Sequence, residues 1–121
     1  MRRTLVAVVA ILAVIGTAMT GIAAAKTQGK TVTVTLSGIT FNGKANSTAK
    51  AKVGDKLKFV WKDGDHNVVS TALPKGVKKV SSGAPKTGHA PFIVTVGKKG
   101  TYSFECQPHA ALGMKFKAIV S

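Results

Sequence analysis

Cys106 is the only cysteine in the 121-residue chain. His109 follows it by three positions and Met114 by eight, in the run Tyr102-Ser103-Phe104-Glu105-Cys106-Gln107-Pro108-His109. His66 stands upstream. One thiolate, two imidazoles and one thioether are the donor set of a mononuclear copper site, a trigonal His₂Cys plane with a weak axial Met. An ion that passes one electron at a time must be held both as Cu(I) and as Cu(II). Thiolate and thioether favour the softer ion, and imidazole serves both. A lone cysteine cannot close an intramolecular disulfide, and a free thiol outside the cell is open to oxidation. Ligation of a buried metal accounts for it. Zinc fits the set less well, because a thioether is a poor fourth ligand for it. A Cys–His nucleophile pair lacks a residue to orient the imidazole.

These donors need strands to aim them. After residue 26 the hydrophobic pattern has period two and no helical segment. Val32, Val34 and Leu36 share one face of the first run. Ala49, Ala51 and Val53 mark a second run, Val53-Gly54-Asp55-Lys56 reads as a turn, and Leu57, Phe59 and Trp61 mark a third run. Asp63-Gly64-Asp65 reads as a turn, with the two acids as turn formers, and His66 to Ser70 as the next strand. Residues 71–90 are irregular, with Val77 to Val80 as a short edge segment. Phe92 to Val96, a Gly97-Lys98-Lys99-Gly100 turn and Thr101 to Cys106 read as a hairpin. Lys115 to Val120 forms the last strand. Seven to eight short strands predict an all-β, antiparallel two-sheet sandwich in a single domain. Parity places Cys106 on the face of Tyr102 and Phe104, and Met114 on the face of Phe116, Ala118 and Val120. Both then point inward, and all four donors lie at strand ends. Trp61 and Tyr102 read as core packing, and His89, in Gly88-His89-Ala90-Pro91, as a surface residue.

Residues 1–25 have the layout of an export leader. Arg2 and Arg3 precede an uncharged run from Leu5 to Ala25, and Ala23-Ala24-Ala25 offers a cleavage site before Lys26. The same run is long enough to span a bilayer, so an uncleaved N-terminal anchor is the second reading. Both place residues 26–121 outside the cytoplasm. Arg2 and Arg3 are the only arginines, so residues 26–121 carry 16 lysines against 4 acids, a formal +12. Such a surface keeps a protein soluble or steers it to acidic partners and anionic surfaces. Export, the lack of arginine and the absence of any nucleic-acid motif exclude nucleic-acid binding.

The chain resembles the cupredoxins, in particular the plastocyanin and pseudoazurin group. The resemblance rests on Asp65-His66-Asn67-Val68-Val69, on Gly100 through His109 and on Gly113-Met114, and covers most of residues 30–121. It implies a Greek-key β-sandwich and a type 1 copper site ligated by His66, Cys106, His109 and Met114. It implies that Asn67 ties the ligand-bearing segments together by hydrogen bonds. It also implies that electrons enter and leave at the counterpart of His109, near the surface. The apolar ring there would comprise Pro108, Ala110, Ala111 and Leu112, with Leu73 and Pro74 as further candidates. Gln107 stands where the family often has Ser or Thr, and the basic surface departs from the acidic patches of many plastocyanins.

Pro108 lacks an N–H and so removes one hydrogen bond from the Cys106 sulfur. The function expected is that of a small exported blue copper protein, monomeric and not an enzyme. It would shuttle electrons between a redox donor and acceptor with acidic docking surfaces, with membrane association through residues 5–25 in the anchor reading. The alternative is a copper-binding protein for metal handling or delivery.

Overall fold

The computed structural model describes residues 29–121, so the leader and anchor readings of residues 1–25 lie outside the described residues. Among the described residues no helix is long and apolar enough to cross a membrane.

The chain runs through β1 (Thr31–Ser37), β2 (Thr40–Phe41), β3 (Ser47–Ala51), β4 (Lys56–Trp61), β5 (Asp65–His66), β6 (Val69–Ala72), β7 (Lys86–Thr87), β8 (Phe92–Thr95), β9 (Gly100–Glu105) and β10 (Lys115–Val120). Two four-stranded sheets, β2-β1-β4-β8 and β3-β10-β9-β6, face each other, and β5 pairs with β7 beside them. Alternation fixes which residues lie between the sheets. Val34, Leu36, Leu57 and Phe59 are wholly buried from one sheet, and Tyr102, Phe116 and Ala118 from the other. Phe59 joins the layers, its ring 5.2 Å from Phe104 and 5.9 Å from Phe116. Burial of these side chains is the main stabilising term.

The all-β sandwich is as expected, but its pairing is mixed. β1 lies parallel to β4, and β3 parallel to β10. Alternation reports which face is buried, not which way a neighbour runs. The chain leaves β1, crosses to the other sheet as β3 and returns as β4, and such a crossover allows parallel neighbours. Among the described residues ten strands replace the seven or eight expected, because β2, β5 and β7 are two residues long and too short to show a period.

The expected hairpin of residues 92–106 is not one. β8 pairs with β4 and β9 with β10 and β6, so the 97–100 turn carries the chain between sheets. Glycines at both ends of a turn suit an arch as well as a hairpin, and Gly100, with φ +132°, supplies a bend closed to other residues. Val53 falls in a turn and is 46% exposed, so the second run ends at Ala51. The edge segment sits further on than expected. Val80 and Ser82, not Val77, exchange backbone hydrogen bonds with Ser70 and Val68.

The two ends of the sandwich differ. Residues 38–46, 62–67, 82–91 and 106–114 gather at one end. Residues 29–30, 52–55, 73–77 and 97–99 gather at the other.

Candidate metal centre

β9 ends at Glu105, and Cys106 is the next residue on its inward face. The thiol is 0% exposed, below Phe104 and Tyr102. Residues 107–112 then wind into a 3-10 helix, with Pro108 in its first turn, where a missing N–H costs nothing. His109 N–H donates to Cys106 O at 3.1 Å, and Gly113, with φ +88°, ends the helix. Met114 enters β10 fully buried. Its carbonyl accepts from Cys106 N–H at 3.1 Å, and its own N–H donates to His109 O at 3.2 Å. The loop that holds three of the four candidate donors is therefore closed on itself.

His66 comes from β5, pinned opposite Lys86 of β7 and wholly buried. Its Nδ1 lies 3.6 Å from Cys106 Sγ, and His109 Nδ1 lies 3.5 Å from the same sulfur. A thiol carries one proton, so its S–H can serve only one of these contacts. Two ligands bound to one ion at about 2.0–2.3 Å, at trigonal to tetrahedral angles, stand about 3.5–3.8 Å apart. His66, Cys106 and His109 fit a shared metal on this measure, with ligand atoms all within 4.8 Å of one another. His109 belongs to the 3-10 helix, not to a strand end, and is half-exposed, whereas His66 is covered.

Burial shapes the protonation of the donors. It pushes the Cys106 thiol up, opposed by the backbone N–H groups of Asn67 and His109. It pushes His66 down, and the Asp63 carbonyl only partly counters it. Neutral imidazole is the form that ligates. The Asp63 carbonyl supports the ring without completing a hydrogen bond, since buried Nε2 has no partner. Gly64 crowds that nitrogen: a Cβ there would lie 2.7 Å from it.

Asn67 spans the two segments. Its Oδ1 accepts from Gln107 N–H at 2.8 Å, while Nδ2 donates to Gln107 Oε1 at 2.8 Å and to Gly83 O at 3.1 Å. Gln107 thus adds a side-chain bond to the one its backbone makes.

Of the surface ring, Pro108, Ala111 and Leu112 are exposed and Ala110 half-buried beside His109. Leu73 and Pro74 lie elsewhere. Pro74 packs against Gly100 at the far end, because β6 runs antiparallel to β9 and leads away from Cys106. His89 lies apart from the donors and is more than a surface residue. It stacks on Trp61 at 4.6 Å, and Trp61 Nε1 donates to His66 O at 2.9 Å. Period two marked Trp61 as inward, but its hydrogen bond has no sequence signal beyond an indole N–H ahead of a turn.

Among known proteins, the family described as copper-binding proteins of the plastocyanin/azurin family matches residues 30–121. Plastocyanin of Lactuca sativa is 39% identical over 83 residues, covering 62% of this chain and 84% of that protein. Plastocyanin of Prochlorothrix hollandica is 42% identical over 65 residues, and there the match spans half of each chain. Among solved structures, pseudoazurin from Methylobacterium extorquens AM1 superimposes with a TM-score of 0.65 at 28% identity, covering 76% of both chains.

Proposed function

This chain belongs to the plastocyanin/azurin family of copper-binding proteins, and we propose that it carries single electrons on one copper ion held by His66, Cys106, His109 and Met114. The observation that carries this reading is the convergence of two Nδ1 atoms on one buried sulfur, at 3.6 and 3.5 Å. Copper bound there supplies a centre stable in two oxidation states one electron apart. No bond in a substrate is made or broken.

The chain's own residues do the rest. Cys106 gives up its thiol proton on ligation, against the pull of burial and with help from the Asn67 and His109 N–H groups. Burial favours the neutral form of His66, the form that ligates. The Asn67 bonds and the closed 106–114 loop hold the donors in place when the charge of the centre changes. Little rearrangement then accompanies transfer. Pro108 leaves one hydrogen bond fewer for the sulfur. His109, half-exposed among Pro108, Ala110, Ala111 and Leu112, provides the route to a partner through an apolar contact that sheds water.

Residues 1–25 act as an export leader or a retained anchor, and residues 26–121 work outside the cytoplasm. The donor and acceptor are redox proteins with acidic docking surfaces, attracted by the lysines.

Adding Cu(II) to the protein tests the reading. An intense visible thiolate-to-copper charge-transfer band is expected, together with fast electron self-exchange and slow copper release. Rapid copper transfer to a chelator with sluggish self-exchange would favour metal delivery instead. Transfer to an acidic partner slows as salt rises, and a rate insensitive to ionic strength would limit the lysines to solubility.

A further inference from the structure

The end of the sandwich remote from His109 lies away from the electron route proposed above, yet it gathers more lysines around a single acid than the metal end does. Asp55 organises it. Its two carboxylate oxygens accept from Lys30 N–H and Lys52 N–H, each at 2.8 Å. Lys56 N–H donates to Lys30 O, and Lys50 lines the same open depression as Lys30 and Lys52. Lys98 reaches across to donate to Lys75 O, with Lys99 beside it. Seven exposed lysines, Lys30, Lys50, Lys52, Lys56, Lys75, Lys98 and Lys99, thus stand around one acidic side chain whose oxygens are already taken. At the metal end Lys44, Lys62, Lys86 and Lys115 are offset by Asp63, Asp65 and Glu105.

The chain also arrives at this end. Gly29 passes so close to Gly54 that a Cβ on it would meet the Gly54 carbonyl at 1.8 Å. Four residues, 26–29, separate Ala25 from Lys30, so the two lie at most about 18 Å apart along the chain. We propose that this lysine end docks on an anionic lipid bilayer and leaves the His109 end facing away from it. A retained 5–25 segment would hold the lysines within about one or two Debye lengths of the headgroups. A processed chain presents the same face. A protein partner suits it less well. Electrons pass at His109, and seven-residue β1, running from one end to the other, puts about 20 Å between the two surfaces.

Among the described residues every buried core side chain lies between Val34 and Val120, so residues 26–121 carry that core complete. This form is sedimented with phosphatidylcholine vesicles, with and without phosphatidylglycerol, at physiological ionic strength. Near-UV circular dichroism checks the fold of each variant independently of copper. Binding is expected only with phosphatidylglycerol. The variant Lys30→Gln/Lys50→Gln/Lys52→Gln/Lys56→Gln should bind ~10-fold or more weakly. Lys44→Gln/Lys62→Gln/Lys86→Gln/Lys115→Gln removes as much charge from the metal end and should lose less than about 2-fold, since those lysines stand well beyond a Debye length from the lipid. Absent binding, equal binding to uncharged vesicles, or equal losses in the two variants would each overturn the proposal. So would a slower reaction of the first variant with an acidic redox protein in the absence of vesicle binding.

Discussion

At the lysine end, two backbone N–H groups close on the carboxylate of Asp55; between the two ligand-bearing segments, the cross-link is the amide of Asn67. Each residue staples distant stretches of chain, residues 30 and 52 in one case, and 83 and 107 in the other. A carboxylate can only accept, and it does so best when charged. An amide accepts and donates at once and carries no charge. Beside a site that must hold a cation in two charge states, a neutral staple fixes the donors without biasing either state. At the far end a charged staple is harmless to the site and ties its strength to pH.

Cys106→Ser should have the largest effect, because Cys106 is the only thiol of the chain and the charge-transfer band needs a thiolate. The charge-transfer band is expected to vanish while the lysine end and the fold persist; a variant that kept the band would break the site as described. Asn67→Ala comes next. It strips Gln107 N–H and Gly83 O of their partner; both residues are exposed, so water replaces part of each bond and the net loss is about 0.5–1.5 kcal/mol for each. Chemical denaturation should show the loss, and the copper spectrum should change with it; a shift in stability alone would reduce Asn67 to a structural tie.

Gly64→Ala follows. It combines φ +81° with a Cβ 2.7 Å from His66 Nε2, and the backbone term alone is about 1–2 kcal/mol. Copper affinity should fall more than fold stability, as competition with a chelator would reveal. Asp55→Asn is milder and confined to the other end. Lys52 N–H is the main reason that the Asp55 carboxyl lies below the usual carboxylate range, with burial opposing and Lys30 N–H assisting. Asp55 is 7% exposed but sits at the rim, where solvent screens its charge. A depressed folded-state pKa stabilises fully above the unfolded value of about 3.9, and the benefit fades as pH falls through the folded value. The variant should therefore lose stability at neutral pH and show a flatter acid limb, with an unchanged reduction potential. A shifted potential would couple the two ends.

Pro108→Ala is the smallest. It frees an N–H toward the Cys106 sulfur and should raise the potential, because a hydrogen bond draws charge from the thiolate. Voltammetry that found it unchanged or lower would remove Pro108 from the tuning of the site.

The sandwich and the inward aim of Cys106 and Met114 were legible because strand parity is a local property. Tyr102, Phe104 and Cys106 alternate with Thr101, Ser103 and Glu105 in sequence, and the three inward residues are buried to within 1%. The parallel partners of β1 and β3, the arch at 97–100 and the far position of Leu73 and Pro74 were not legible. Each depends on which strand lies beside which, and a two-residue periodicity carries no such information. The half-buried stack of His89 on Trp61 is of the same kind, since 28 residues separate two side chains that the fold brings face to face.

By itself, the sequence determined the donor inventory: one thiol, two imidazoles and one thioether, three of them within nine residues of chain, because ligand chemistry belongs to residue type and short spacing. It also determined the alternation that builds two sheets. Only the tertiary structure decided that His66 meets the 106–114 loop, that Asn67 rather than a charged group binds them together, and that the lysines crowd the end where the chain arrives. Those contacts join residues 40 apart. Loop closure and sheet packing set them, not any local preference of the chain.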